Sequence, residues 1–409
     1  MDKNIRRMVL VLSLVPFIMV LGHSMLIPVL PAIEKALHLS LYQVGLLITA
    51  FSLPAGIVIP FAGLLSDRVG RKPVMIPALA IYGLGGILAG LAGVLARNPY
   101  YLILGARAIQ GIGAGGTYQL AMALAGDEIQ TRERAQALGY LEAANGLGKV
   151  VSPLAGAALA LIAWQAPFFA YGILAIPIAA IVFGLAREEP KKAAAAQTMR
   201  QYFQGFLAVF KQKGAALAVA YLSGMAVLFT LFGVLSSFSD VLEKFYHLEV
   251  FDRGLTLALP VLAMAVTSFI LGTMIKKKPA AMIRPVAFSG LLAVAAGLAL
   301  FIILPIKRLG VTPLVLATIP IGLGAGATLP PLNTLITSAA ASNERGIVTC
   351  LYGTVRFFGV AIGPPVFALG WKSYKTPLFF SIVAGILVLA LVLLLAVRPE
   401  KIMPKNMAE

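Results

Sequence analysis

The chain has 409 residues, of which 60% are hydrophobic and only 12% are charged. Soluble domains are about 45–50% apolar and about 25% charged, so this composition excludes an ordinary soluble protein. The net charge of +17 does not indicate a nucleic-acid partner, because the sequence contains no basic patch interleaved with aromatic residues.

The hydrophobic stretches predict an all-α polytopic membrane protein with twelve spans, because each stretch is long enough to cross about 30 Å of hydrocarbon. Their approximate limits are 8–30, 42–66, 73–96, 101–125, 135–162, 166–186, 214–239, 253–275, 283–304, 312–338, 346–370 and 376–397. Lysine and arginine concentrate in the loops on the side of the N-terminus. This distribution predicts a multi-pass protein of the plasma membrane with both termini in the cytoplasm.

The loop between spans 2 and 3 reads GLLSDRVGRKP over Gly63–Pro73. An acid at a helix end can form ion pairs that exist in only one global state, so Asp67 is a candidate for a conformational latch. The alternative is that Arg68, Arg71 and Lys72 only anchor the cytoplasmic side of the membrane.

Spans 4 and 5 carry ionisable residues within apolar sequence. A charge such as Arg107 usually lines an aqueous cavity or pairs with another group, although this arginine also lies near enough to the outer end of its span to snorkel. Glu142 and Lys149 are two helical turns and roughly 10 Å apart, and they share a polar face with Asn145. The sequence makes Glu142 the lead proton-coupling acid, and the alternative is a static ion pair with Lys149, Arg356 or Arg107.

An internal repeat relates the two halves of the chain. GIGAGGT at Gly111–Thr117 and GLGAGAT at Gly322–Thr328 lie 211 residues apart, and Pro153 and Pro364 keep the same offset. The repeat predicts two parallel six-helix bundles, residues 1–186 and 214–409, as in alternating-access transporters.

A cytoplasmic linker is expected between the bundles, over residues 187–213. Residues 202–210 within it form either a short amphipathic helix at the membrane surface or part of a solvated linker. An enzyme would need clustered catalytic residues, and a receptor or scaffold would need a sizeable soluble domain; the sequence has neither.

These motifs resemble those of the major facilitator superfamily. The stretch Gly63–Lys72 closely matches the superfamily's signature loop, G-x-x-x-D-R-x-G-R-K. RAIQGIGAG, Arg107–Gly115, resembles the R-x-x-Q-G motif of its twelve-span drug:proton antiporters. Gly148–Gly156 is similar to the antiporter motif of span 5, with Ser152 where the family usually has glycine, and Gly359–Pro365 matches that motif better.

The resemblance implies roles for the matching residues. The loop motif would form the cytoplasmic gating latch, with Asp127 as the acid that pairs with it; its residues are Asp67, Arg71, Asp127, Arg68, Gly63 and Gly70. Arg107 would take part in proton coupling, and Gln110, one turn further on, is a candidate substrate contact. Many such antiporters carry an acid in span 1, where this chain has only His23; it is either an alternative proton carrier or a hydrogen-bonded structural residue.

Small residues in spans 5 and 11 predict close helix packing and a bend. These residues are Gly148, Pro153, Gly156, Gly359, Gly363 and Pro364. The resemblance places the bend at the interface between the halves, and Arg356 is expected to face that interface.

The ionisable residues inside the spans favour neutral or anionic amphipathic substrates, because Arg107, Lys149, Arg356 and Glu142 together carry a formal charge of +2. Five further residues are either cavity wall or ordinary packing: Tyr118, Tyr140, Phe229, Phe232 and Asn333. The single cysteine and three scattered histidines predict neither a disulfide nor a metal site, and we expect no cofactor.

We therefore expect a monomeric, non-enzymatic secondary transporter that exports small drug-like amphipathic compounds by proton antiport. Its partners would be the small-molecule substrate, protons and the lipid bilayer. The first alternative is an exporter or facilitator of an anionic metabolite or lipid-like molecule without obligatory proton coupling. The second is a non-transporting sensor or scaffold.

Overall fold

The computed structural model describes residues 3–129, 133–186, 188, 199–275, 279–305, 309–339, 345–372 and 377–402. Over these residues all regular secondary structure is helical. The chain divides into two compact units. The first comprises Met1–Thr198 with Val250–Gly254, and the second comprises Met199–Glu249 with Leu255–Glu409. The boundary at Thr198 lies within the expected linker, of which residues 187 and 189–198 fall outside the described part.

The first unit contains six spans, two of which are interrupted. Its helices are α1 (Lys3–Ser24), α2 (Leu30–Leu37), α3 (Leu41–Val69), α4 (Lys72–Leu95), α5 (Tyr100–Gly115), α6 (Tyr118–Glu128), α7 (Arg134–Ala160) and α8 (Ala166–Leu185). A 3-10 turn over Ile27–Val29 joins α1 to α2, so that together they form the first span. Helices α5 and α6 together form the fourth span.

The second unit contains six spans and a short terminal helix. Its helices are α9 (Met199–Lys244), α10 (Val250–Ile275), α11 (Pro279–Ile303), α12 (Val311–Ala339), α13 (Arg345–Lys372), α14 (Pro377–Ala396) and α15 (Pro399–Ile402). Ten helical segments in the described residues are long and apolar enough to cross a membrane, and the interrupted α5–α6 pair and the more polar α7 complete the set. The predicted twelve-span, two-bundle architecture is confirmed.

The repeated glycine motif is a packing motif in both units. A Cβ atom on Gly111 would overlap the carbonyl oxygen of Phe51 on α3, and one on Gly322 would overlap that of Pro260 on α10. Glycine therefore allows the fourth span of each unit to lie directly against the backbone of the second. This close approach explains why the motif recurs in the two halves.

Two helices depart from the sequence-based limits. The fourth span breaks at Gly116, whereas α12, the matching span of the second unit, has Ala327 at that position and continues. Adjacent glycines remove the steric restraint that keeps a helix regular, so a break there is expected. Residues 202–210 form the first part of the 46-residue helix α9 and are not a separate helix.

Candidate substrate and proton-coupling site

Arg107 on α5 is completely buried. Its Nη1 atom donates to the backbone carbonyl of Gly22 and to Oε1 of Gln110, both at 2.6 Å. Its Nε atom donates to the carbonyl of Leu47 at 3.1 Å. The guanidinium therefore links α5 to α1 and α3, and the alternative that Arg107 snorkels to the membrane surface is wrong. Gln110, expected to contact substrate, is also completely buried in this cluster.

The carbonyl that Arg107 contacts on α1 belongs to the last turn of that helix. Helix α1 ends at Ser24, and the turn that follows contains Pro28. The last carbonyls of an α-helix lack partners within the helix and carry the negative end of the helix dipole. The end of α1 therefore stabilises a cation beside Gly22 without needing a carboxylate.

Aromatic side chains complete the surroundings of Arg107. Its guanidinium carbon lies 4.5 Å from the ring centre of Phe51, which is a cation–π geometry. Nη1 is 3.4 Å from the hydroxyl oxygen of Tyr171, and the neighbouring Tyr82 donates its hydroxyl to the Ile18 carbonyl at 2.7 Å. In the part of the chain that the structure describes, no acidic side chain pairs with Arg107. Its charge is balanced there by neutral dipoles and rings.

His23 lies beside this cluster, in the last turn of α1. It is 6% exposed, and its ring stacks on that of Phe51 at a centroid distance of 5.8 Å. The charges of Lys149 and Arg107 both act on the imidazole. Lys149, on α7, is half-buried. The structure thus gathers two cations and an imidazole in one region of the first unit.

Glu142 lies on α7 and is exposed. Its carboxylate accepts a hydrogen bond from the hydroxyl of Tyr118, at the start of α6. Among the described residues it makes no ion pair, so the expected alternative of a static pair with Lys149, Arg356 or Arg107 is not found. The carboxylate is therefore hydrogen-bonded to a phenol and otherwise exposed.

The remaining candidate wall residues lie in both units and differ in exposure. Tyr140 is 51% exposed, and Asn333 on α12 is half-buried. Asn145 is 6% exposed, so only part of the polar face predicted for α7 is open. Phe229 on α9 packs edge-on against Phe367 at a centroid distance of 5.5 Å, which is ordinary packing.

The loop between α3 and α4 brings together the side chains predicted as a latch. Nη2 of Arg71 lies 2.6 Å from Oδ1 of Asp67, and its Nε lies 3.1 Å from Oδ2 of Asp127 at the end of α6. Nη1 donates to the hydroxyl of Ser66 at 2.6 Å, and that hydroxyl donates to the carbonyl of Gly63 at 2.7 Å. Burial by itself lowers the pKa of Arg71, but the two carboxylates outweigh it and raise the pKa above the usual arginine value.

Glu188 completes this loop and was not singled out from the sequence. Its Oε1 accepts from the backbone N–H of Arg71 at 2.5 Å, and its Oε2 accepts from that of Lys72 at 2.8 Å. In return, Nζ of Lys72 donates to the carbonyls of Phe183 at 3.0 Å and Ala186 at 2.6 Å. Glu188 thus satisfies backbone N–H groups at the start of α4, and Lys72 satisfies backbone carbonyls at the end of α8. We call this reciprocal arrangement the α4–α8 interlock.

Gly70 is required in this loop for two reasons. Its φ of 101° lies in a region that side-chain-bearing residues rarely adopt. A Cβ atom there would also lie 3.2 Å from both carboxylate oxygens of Glu188. Arg68, the remaining charged residue of the predicted latch, is exposed. The sequence signal for Glu188 was only that acids follow the sixth span directly, which does not identify their partner.

The glycines of α7 face α1. A Cβ atom on Gly156 would overlap the carbonyl oxygen of Met25, and one on Gly148 would lie 3.1 Å from that of Phe17. Pro153 lies inside α7 without ending the helix. The contacts of these glycines are therefore within the first unit, with its first span.

The second unit repeats this arrangement on α13. A Cβ atom on Gly359 would overlap the carbonyl oxygen of Met225 on α9, and one on Gly363 would lie 2.5 Å from that of Phe229. Helix α13 continues through Pro364. In both units the predicted bend residues thus pack the fifth span against the first.

Two acids of α9 lie inside the protein, although Glu142 was the only acid that the sequence placed within a span. Asp240 is 2% exposed and Glu243 is 8% exposed. Both lie on α9, which continues to Lys244, beyond the expected end of the span at residue 239. Nζ of Lys244 lies 2.8 Å from Oδ1 of Asp240. The apolar pattern ends one turn earlier than the helix does.

Comparison with known families and curated proteins gives consistent results. A sequence model of the Major Facilitator Superfamily matches residues 12–364. The chain is 38% identical to the Bacillibactin exporter of Bacillus subtilis (strain 168) over 394 residues, which cover 93% of this chain and 95% of that protein. It is 30% identical to the Multidrug efflux protein YfmO of the same organism over 363 residues, covering 84% and 81% of the two chains.

Solved structures share the fold. The human organic anion transporter MFSD10 (TETRAN) superposes with a TM-score of 0.74 at 20% identity, over 96% of this chain and 100% of that one. A bacterial homolog of the human lysosomal transporter Spinster, inward-facing and unoccupied, gives a TM-score of 0.75 at 19% identity over 98% of each chain. At these identities the likeness concerns the fold alone.

Proposed function

Because the chain belongs to the major facilitator superfamily, we propose that it exports a small amphipathic compound by proton antiport through alternating access. Its similarity to the Bacillibactin exporter and to a multidrug efflux protein, each over more than four fifths of the chain, supports the direction of transport. The two cations that lie together in the first unit, Arg107 and Lys149, are the observation that carries the proposed substrate class.

The exported compound is neutral or negatively charged in this proposal. In the first unit Arg107 has no acidic partner among the described residues, and Lys149 is a second cation within its spans. A lipophilic cation would be repelled by such a set, whereas a carboxylate, sulfonate or phosphate group would be attracted. Export of an anionic metabolite therefore fits these residues at least as well as export of a neutral drug.

Glu142 is the proposed proton carrier because its side chain is exposed. A carrier must meet solvent to load and release protons, and Glu142 is exposed whereas His23 is 6% exposed. Its carboxylate accepts a hydrogen bond from Tyr118, which links α7 to the break in the fourth span. Protonation would weaken that charge-assisted bond and loosen α6 from α7. Arg107 then serves as a fixed charge that holds α1, α3 and α5.

The proposed latch is formed by Asp67, Arg71 and Asp127, with the α4–α8 interlock beside it. In the topology predicted from the charge distribution, this loop lies on the cytoplasmic side. Ion pairs of this kind hold one global state and break in the other. The latch therefore sets how readily the first unit changes conformation, and it does not touch the substrate in this proposal.

A substrate screen in inside-out vesicles with a pH readout tests the proposal. We expect uptake of amphipathic anions or neutral compounds that stops when the pH gradient is dissipated. Glu142→Gln should abolish gradient-driven accumulation and retain exchange down a substrate gradient. Glu249→Gln, which removes an exposed acid from the loop after α9, is the matched control and should behave like the unsubstituted protein. Gradient-independent flux in the unsubstituted protein would favour a facilitator, and undiminished accumulation by Glu142→Gln would refute the proton assignment.

A further inference from the structure

Arg356 lies near the middle of a span in the second unit. The apolar segment of α13 covers Gly346–Gly370, so Arg356 is about 15 Å from its first residue and about 21 Å from its last. Snorkelling is typical of charges near helix ends, and neither end of this span is near. The internal repeat places Asn145 at the position of Arg356, so the fold itself does not require a charge there.

The guanidinium has no acidic partner among the described residues. Helices α9 and α13 pack with Gly359 at the level of Met225, one turn from Arg356. Asp240 lies about 22 Å further along α9 and is therefore out of reach, and Glu243 is more distant still. The Nε atom of Arg356 is buried without a hydrogen-bond partner, although the residue as a whole is half-buried. A buried donor of this kind is costly unless something binds it.

Tyr352, one turn before Arg356, fixes the position of the guanidinium. The guanidinium carbon lies 5.3 Å from the centre of the tyrosine ring. That ring is 1% exposed and packs at a centroid distance of 5.7 Å from the ring of Tyr221. A Cβ atom on Gly224 would lie 2.6 Å from the Tyr352 hydroxyl, so the ring is tightly held against α9. Arg356 is therefore presented on a rigid aromatic surface.

We propose that Arg356, positioned on the ring of Tyr352, binds the negatively charged group of the exported compound. This inference rests on the proposed function, because it requires a substrate that carries negative charge. A planar guanidinium with an unused donor matches the oxygen atoms of a carboxylate or sulfonate, to which it can donate two hydrogen bonds. Arg356 then determines specificity for charge, and Tyr352 is a positioning residue.

Direct binding to the purified full-length protein tests this assignment. The probes are 2-naphthoate and 2-naphthalenesulfonate, which are amphipathic anions, and the neutral 2-naphthamide. Arg356→Gln should weaken binding of both anions by about tenfold or more and leave 2-naphthamide within about twofold, as expected for loss of a charge-assisted hydrogen bond. Arg284→Gln is the matched control, because Arg284 is also half-buried in a helix of the second unit but lies near the start of α11.

Substitutions of the tyrosine separate positioning from folding. Tyr352→Phe keeps the ring and should leave anion binding unchanged, whereas Tyr352→Leu should weaken it a few-fold without affecting the neutral probe. The ratio of anion to amide affinity is the readout, since a general folding defect lowers both affinities. Equal anion binding by Arg356→Gln and the unsubstituted protein would overturn the inference and leave the proposed function intact. Failure of the unsubstituted protein to bind either anion, while it binds the amide, would overturn the inference and restrict the proposed function to neutral compounds, and failure to bind all three probes would count against both.

Discussion

Removing the carboxylate of Glu188 should destabilise the first unit and weaken control of the latch. The side chain accepts hydrogen bonds from two backbone N–H groups at the start of α4. Helix caps of this kind contribute about 0.5–2 kcal/mol, and a negative charge at a helix N-terminus adds about 0.3–1 kcal/mol. Because Glu188 is partly exposed, solvent screening favours the lower half of the combined range, about 1–2 kcal/mol for Glu188→Ala.

Glu188→Gln should cost roughly half as much, about 0.5–1 kcal/mol. The glutamine amide keeps one acceptor oxygen, but its NH₂ group then faces the second backbone N–H, which is also a donor. The substitution also removes the negative charge. Thermal unfolding of the purified protein in detergent measures the difference. A shift of roughly 2–4 °C per kcal/mol is expected for a unit of about 200 residues. Glu249→Ala is the control, because it removes an exposed acid beside the start of α10 that accepts no hydrogen bond among the described residues; it should lower the melting temperature less than Glu188→Ala does.

A double-mutant cycle with Lys72→Ala tests whether the interlock acts as one unit. If the two side chains stabilise α4 and α8 independently, their effects add to within about 0.3–0.5 kcal/mol. We expect less than additive destabilisation, because each substitution already frees the helix end that the other residue caps. Additive effects would refute this reasoning, as would a Glu188→Ala protein with the same melting temperature as the unsubstituted protein.

Two further substitutions test the packing of the first unit. Arg107→Lys should lower the free energy of unfolding by about 2–4 kcal/mol and abolish transport in vesicles. An ammonium group cannot donate to the carbonyls of Gly22 and Leu47 and to Gln110 in one planar geometry. A melting temperature and a transport rate equal to those of the unsubstituted protein would contradict this. Gly156→Leu should prevent recovery of folded protein by size-exclusion chromatography, whereas Gly139→Leu on the same helix, where a Cβ atom meets nothing within 4 Å, should be recovered normally.

Hydropathy predicted the twelve spans, and the loop motif with its family resemblance predicted that Asp67, Arg71 and Asp127 lie together. The spans depend on local sequence, and Asp67 and Arg71 belong to one short motif, whereas Asp127, 56 residues from Arg71, was implied by the family resemblance. Glu188 was missed because its partners lie 116 and 117 residues away and bind it through backbone N–H groups, which leave no trace in side-chain pattern.

Burial of polar residues was the other property that the sequence did not reveal. Gln110 has the spacing of a cavity residue, yet its amide is completely buried against Arg107. Asp240 and Glu243 ended the apolar window used to define the seventh span, although both are buried. Hydropathy scores a residue by type, whereas burial depends on which helices pack around it.

The buried arginine and the interrupted first span explain one another. Arg107 needs acceptors, and the end of α1 at Ser24 supplies the carbonyl of Gly22. In the second unit the repeat places Thr318 at the position of Arg107, and its hydroxyl is satisfied within its own helix by the Val315 carbonyl at 2.8 Å.

Helix α9, the first span of the second unit, is correspondingly unbroken from Met199 to Lys244. A helix that continued through the Gly22 region in the first unit would use its own carbonyls and leave the buried guanidinium with too few acceptors. The two asymmetries between the halves, a charge in the fourth span and a break in the first, are therefore a single structural feature. Arg107→Thr alone should therefore leave the Gly22 carbonyl at the end of α1 without its hydrogen-bond donor. The second unit has threonine at this position together with a continuous first helix, so the first unit would need both changes.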